Sequence, residues 1–129
     1  MHVLVTGATG GIGRGICEVL ASREPGLTLS VASSQAGEKL DGLLLALRGM
    51  GVRAHGVTGD VTKPDEARGI VQQAIAAGGD LDALVCVAGA SGPGKLVDLP
   101  VAQWDQTFNL NARSVFLMAQ AAYESLKRT

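Results

Sequence analysis

The chain has 129 residues, 47% hydrophobic and 18% charged, with 11 Lys or Arg against 12 Asp or Glu and a formal net charge of −1. That is the size and composition of one globular domain, long enough to bury about two-thirds of its unfolded surface. The charge balance excludes a basic nucleic-acid footprint and a polybasic membrane patch.

The opening segment MHVLVTGATGG has no basic n-region, and its apolar run is too short for a signal peptide. The longest stretch without a charged residue is 13 residues, too short to span a bilayer. The two cysteines, Cys17 and Cys86, show no metal-type spacing. These features read as a soluble, cytoplasmic protein with two reduced, buried thiols.

In chain order, His2 to Thr6 is a short apolar run that reads as a buried strand. A helix over Gly11 to Arg23 follows, with Ile12, Ile16, Val19 and Leu20 at helical spacing, and Pro25-Gly26 ends it. Leu27 to Ala32 is a second strand. Ala36 to Met50 is a helix with Leu40, Leu43, Leu44 and Leu47 on one stripe and Gly51 beyond its end. Val52 to Val57 is a third, weaker strand.

Lys63-Pro64-Asp65 marks a helix entrance, continued by Ala67, Ile70, Val71, Ala74 and Ile75. Ala83 to Val87 is a fourth strand, Ser91 to Pro100 a loop, and Val101 to Lys127 one long helix. Apolar strands alternating with helices imply half of a doubly wound Rossmann-type α/β fold: a parallel sheet covered on both faces, its four strands in the order 3-2-1-4. Residues 1–129 read as one domain.

Thr6 to Gly13, TGATGGIG, lies between the first strand and the first helix. Glycines there let backbone approach a pyrophosphate, and the free N–H groups and dipole of the new helix favour its charge. The spacing reads either as Gly7-x-x-x-Gly11-x-Gly13 or as Gly7-x-x-Gly10-x-x-Gly13. Glycines alone could make only a tight turn; the strand-turn-helix context points to a dinucleotide.

With that turn, the sequence resembles the short-chain dehydrogenase/reductase family, over the N-terminal half of the family's domain. The Gly7-Gly11-Gly13 spacing is similar to the classical branch, and Gly7-Gly10-Gly13 to the extended branch. Asp60-Val61 resembles the pair that holds adenine. Leu84 to Gly89 resembles the Asn-Asn-Ala-Gly strand end, with Cys86 and Val87 in place of the two Asn. Trp104-Asp105 and Asn109-Leu110-Asn111 resemble the helix bearing the catalytic-site Asn. These favour the classical branch, near the 3-oxoacyl-carrier-protein reductases. The resemblance implies cofactor contacts from Thr6, Gly7, Thr9, Gly10, Gly11, Ile12, Gly13, Ser33, Ser34, Asp60, Val61, Ala88 and Gly89, and a catalytic role for Asn111.

An NAD-selective site places a carboxylate about 20 residues past the glycines. Here that place holds Ser33, followed by Ser34 and Gln35. Nothing there repels a 2′-phosphate, so the reading is NADP over NAD. Arg14 is a possible helper, read first as a helix-surface residue.

The family's reaction is hydride transfer between nicotinamide and a carbonyl or alcohol carbon, with Ser, Tyr and Lys beside the Asn. Those three follow a further strand and helix in the family and lie outside residues 1–129. Tyr123 and Lys127 imitate the Tyr-x-x-x-Lys string. Twelve helical residues place Tyr123 about 18 Å along the axis from Asn111, so the pair reads as structural.

His2 and His55 also read as structural, and Asp80 and Asp82 as a solvated loop. No metal constellation is visible. The chain thus reads as a carbonyl or 3-oxoacyl oxidoreductase, truncated and inactive alone. The alternative is a non-catalytic nucleotide-binding half-domain that self-assembles or complements a second chain. Homo-oligomerisation is expected through the Ala83–Val87 edge strand and the two-sided apolar helix over Val101–Lys127.

Overall fold

Four short segments form the strands of a parallel sheet in a computed structural model that describes residues 1–129. They are β1 (His2–Thr6), β2 (Thr28–Ser33), β3 (Arg53–Thr58) and β4 (Ala83–Cys86). The sheet order is β3-β2-β1-β4, as the strand-helix alternation implies. Register pairs Leu4 with Ser30 and Leu84, and Ser30 with His55.

Alternate side chains take opposite faces. Val3, Val5, Leu29 and Val31 meet α1 (Gly11–Arg23) and α2 (Glu38–Gly49). Leu4, Ala32 and Val57 meet α3 (Pro64–Gly78) and the C-terminal helix α5 (Ser114–Arg128). Leu40, Leu43 and Leu47 in α2, and Ala67, Ile70, Val71 and Ala74 in α3, are buried as their spacing predicts. No helix is long and apolar enough to cross a membrane.

Several boundaries differ from the sequence reading. β2 and β3 each begin one residue later than expected. Leu27 and Val52 are buried but lie just before the paired residues. β4 ends at Cys86, not Val87. α2 begins at Glu38, not Ala36, because Gly37 at φ +147° cannot continue a helix. The Ser91–Pro100 loop carries a short 3₁₀ turn over Leu96–Asp98.

The buried face of α1 is Gly13, Cys17 and Ala21 rather than the larger residues; Ile12 is 75% exposed. Small residues let this helix lie close against the sheet. Burial pushes the Cys17 thiol up to about 11.

The helix expected over Val101–Lys127 is three pieces. α4 (Val101–Phe108) runs through a π-turn at Asn109–Arg113 into α5. Of the helix expected to be apolar on two sides, Trp104, Phe108 and Val115 are largely solvent-facing, and Trp104 stacks on Phe108 at 4.5 Å. The sheet is met by Leu117, Met118 and Ala122, with Ser114 and Ser125 buried among them.

Asp80 and Asp82 lie in a partly exposed loop, as expected, but both carboxylates are engaged there. The Asp80 carboxylate accepts hydrogen bonds from Ser125 Oγ (2.9 Å) and from the Arg128 guanidinium (2.6 and 3.0 Å). Ser125 Oγ in turn accepts from the Leu81 N–H, and Asp82 accepts from the His2 N–H. The His2 ring lies 2.9 Å from both Gly79 O and Ser30 Oγ, a structural role as expected.

Candidate functional site

The chain turns from β1 into α1 through Gly7, whose φ of +62° suits glycine. A Cβ there would lie 2.6 Å from the Ala88 nitrogen, so the turn and the end of β4 can touch. A Cβ on Gly13 would lie 2.2 Å from the Gly7 oxygen, which fixes Gly13 as the packing glycine of α1. Gly11 is different: a Cβ there would meet nothing within 4 Å. Packing therefore requires glycine at Gly7 and Gly13, the two positions that both spacings share. Gly11 faces open space at the start of α1.

α1 begins at Gly11, after Gly10 in the capping position, with no side-chain cap and no acidic residue in its first turn. The first turn of a helix leaves N–H groups without intrahelical partners. Gly10 donates to Gly7 O and Arg14 to Gly10 O, so the free donors are those of Gly11, Ile12 and Gly13. An anion fits this start on charge and hydrogen bonding alike. Gly10 to Gly13 line one side of a recess of about 290 Å³, and Val87 to Gly89 the other.

The structure brings most of the remaining predicted residues to an adjoining cleft of about 280 Å³. Gly7 and Thr9 meet Ser33 and Ser34 from the end of β2, Asp60 and Val61 beyond β3, and Ala88 and Gly89 beyond β4. Thr6 lies beneath it, fully buried. Its Oγ1 accepts from the Val87 and Ala88 N–H groups at 3.2 and 3.3 Å, tying the ends of β1 and β4 together. That bond supports the strand end where Cys86 and Val87 replace the family's Asn pair.

Asp60 is held by its own loop. Its Oδ1 accepts from Thr62 Oγ1 (2.6 Å) and the Thr62 N–H (2.9 Å), and Lys63 Nζ lies 3.8 Å from Oδ2. The Thr62 bonds, with Lys63 beside them, keep the carboxyl below the usual carboxylate range. A fixed carboxylate at a cleft wall accepts an exocyclic amine readily.

Asn111 stands apart from that cleft, in the π-turn. Its Nδ2 donates to Ala90 O (2.7 Å) and Thr107 O (2.9 Å), and a Cβ on Gly89 would reach its Oδ1 at 2.5 Å. The π-turn thus places an amide oxygen against the cleft's lip. Leu110, which the sequence reading did not single out, lines the cleft from the neighbouring position.

Tyr123 is 58% exposed on α5, with Lys127 Nζ 5.9 Å from its ring. Arg14 is paired with Glu18 at 2.8 Å on the surface of α1. Lys39 was also missed: it lines a further recess of about 400 Å³ with Thr9, Ser33 and Ser34. Its place near the cleft depends on the fold of the β2–α2 connection, which no local motif announces.

A 3-2-1-4 parallel sheet whose strand ends meet an uncapped, glycine-lined helix start is a Rossmann-type dinucleotide fold. The sequence profile of the short chain dehydrogenases matches residues 1–129, and the chain belongs to that family, whose members bind NAD(P). It is 30% identical over 126 residues to an L-rhamnose 1-dehydrogenase (NAD(P)(+)) of Sphingomonas sp., covering 98% of this chain and 49% of that one.

It is also 30% identical over 125 residues to the 3-oxoacyl-[acyl-carrier-protein] reductase FabG of Staphylococcus aureus, covering 97% and 50%. The crystal structure of an NADH-dependent reductase complexed with NAD superposes with a TM-score of 0.90 at 28% identity, covering 98% of this chain and 52% of that one. The chain spans about half the length of the curated relatives it matches.

Proposed function

We propose that residues 1–129 hold the cofactor of an NADP-dependent oxidoreductase that acts between a carbonyl, such as a 3-oxoacyl group, and an alcohol. The observation that carries this is the contrast between Gly13, which packing requires, and Gly11, which packing does not. The free N–H groups of Gly11, Ile12 and Gly13 take the diphosphate, Asp60 and Val61 the adenine, and Ser33 and Ser34 the adenosine ribose. Two serines in place of a carboxylate support NADP over NAD. When bound, the nicotinamide supplies or takes up hydride.

Asn111, beside Gly89, is the one member of the family's catalytic set within these residues, so turnover requires Ser, Tyr and Lys from elsewhere. Names of relatives support a C–OH or C=O substrate, since they include a sugar dehydrogenase and a 3-oxoacyl reductase.

The test separates binding from folding. Gly11→Ala leaves the thermal midpoint within a few degrees and weakens NADPH at least about tenfold, the size of one lost charge-assisted contact. Gly13→Ala lowers stability by about 3 kcal/mol, the upper end of the usual cost of overpacking. Calorimetric titration and thermal unfolding read the two effects. Unchanged NADPH affinity in Gly11→Ala counts against the proposal.

A second reading, a self-assembling or complementing half-domain, is supported by exposed aromatic surface. Trp104, Phe108, Phe116 and Tyr123 are each about half exposed on α4 and α5, and the outer edge of β4 is unpaired. The two readings are compatible, with a second copy covering this side.

A further inference from the structure

We infer that the outer edge of β3 is a pairing surface for a second copy of this chain, held shut by the side chains of Gln73 and Arg48. β3 is paired only to β2, so its other edge faces outward. Along a strand, alternate residues turn their backbone groups to opposite sides. Arg53 donates inward to Leu27 O and Gly59 to Ser33 O, so Ala54, Gly56 and Thr58 are the residues turned outward. A row of unpaired N–H and C=O groups of this kind is a template for another strand.

Two of the three residues are already engaged. The Gln73 amide, reaching over from α3, accepts from the Thr58 N–H at 3.2 Å and donates to Thr58 O at 2.9 Å. Exchange of both bonds with one residue is the pattern of a paired residue on an antiparallel neighbour, so this side chain stands in for a strand. A further bond to Gly69 O at 3.1 Å fixes the amide's orientation. Toward the other end, Arg48 of α2 donates twice to Ala54 O, at 3.1 and 2.8 Å. It sets a charge on the edge, a device that edge strands use against pairing. Only Gly56 keeps both groups open to a partner, too short a contact to hold two strands together.

β4, the opposite edge, carries no such plug. Side-chain bonds near it fall on Leu81 before it and Val87 after it, and none on Ala83–Cys86. Two edges that each paired with a copy of themselves would build an open chain of sheets, whereas one alone builds a closed pair. Closing β3 therefore confines edge-to-edge association to the β4 side.

The experiment compares the 129-residue chain with the double variant Gln73→Ala, Arg48→Ala, by sedimentation and amide hydrogen exchange over a range of concentrations. In the unmodified chain the Thr58 amide is protected and the Gly56 amide exchanges freely throughout. In the dilute double variant Thr58 exchanges about tenfold faster, the scale of one lost hydrogen bond. On concentration, Thr58 and Gly56 both become protected and the mass rises above that of the unmodified chain. Gln73→Glu keeps an acceptor and adds a charge, and it stays at the unmodified mass. A folded double variant that holds the unmodified mass at every concentration overturns the inference, as does a protected Gly56 amide in the unmodified chain. Both side chains are exposed, so the variants are expected to fold. Gln73→Ala alone is the check if the double variant unfolds: a Gly56 amide that gains no protection with concentration overturns the inference equally. No nucleotide is present, so the outcome is independent of the cofactor reading.

Discussion

β1 and β4 are neighbours in the sheet, and both read in the sequence as short apolar runs. Every residue of β1 is buried, whereas every residue of β4 is only half-buried. The difference lies in position. β1 is paired on both sides and covered on both faces, while β4 is paired only to β1. An apolar run specifies a strand; it does not specify how many neighbours the strand has. The candidate cleft spans the two, with its glycine turn beyond the inner strand and its Ala88–Gly89 lip beyond the edge strand.

The largest expected effect sharpens this contrast. Leu4 is fully buried in β1, and Leu4→Ala should cost 2–5 kcal/mol, as core leucine truncations typically do at about that scale. Val85→Ala in β4 removes two methyl groups from a half-buried site and should cost about 1 kcal/mol. Chemical denaturation of both variants measures the pair, and equal losses would break the comparison.

Next in size is assembly. If the β4 side is completed by a second copy, sedimentation at micromolar concentration should give a mass above 13.2 kDa. Phe116→Glu should return it to the monomer without unfolding it, since Phe116 is 59% exposed. A monomeric unmodified chain would break the self-association reading.

The smallest effect is pH dependence at the entry to β4. The Arg128 guanidinium, and after it the Ser125 hydroxyl, hold the Asp80 carboxyl down at about 2, against an ordinary 3.8. A depressed carboxylate adds stability that is fully present above the unfolded value and is lost as pH falls through the folded one. The thermal midpoint should therefore carry a decline between about pH 4 and pH 2 that Asp80→Asn lacks. Identical slopes in the two proteins would remove Asp80 from the account.

Much of the fold was legible because β1, α2 and α3 follow their periods without interruption. Leu40, Leu43 and Leu47 are buried where a 3.6-residue repeat puts them. The face of α5 was not legible, because Ser114 and Ser125 are buried polar residues satisfied by partners distant in sequence or hidden in the helix itself. Hydropathy sees only their polarity.

The face of α1 was misread for a related reason. Gly13, Cys17 and Ala21 are chosen for size, and Ile12 is left outside, where it lines the recess beside Gly11. In the site, the glycine turn and Asp60-Val61 were readable from order along the chain. Leu110 and Lys39 reach the cleft or its adjoining recess only through tertiary geometry.

The hydrogen bonds at the two ends of β4 have a mechanical consequence. At its start, Ser125, Arg128 and Thr129 of the C-terminal helix region grip Asp80 and Leu81. Past its end, Asn111 grips Ala90. Strand and helix are two rails joined by a rung at each end, and such a frame resists shear along its length. Sliding α5 past β4 would break both rungs together, so the frame's easy motion is a tilt as one piece. The Gly89 lip then moves with the helix, and independent movement is left to the excursion that the Ala90–Asn111 rung closes off, the loop carrying Leu96 and Val97.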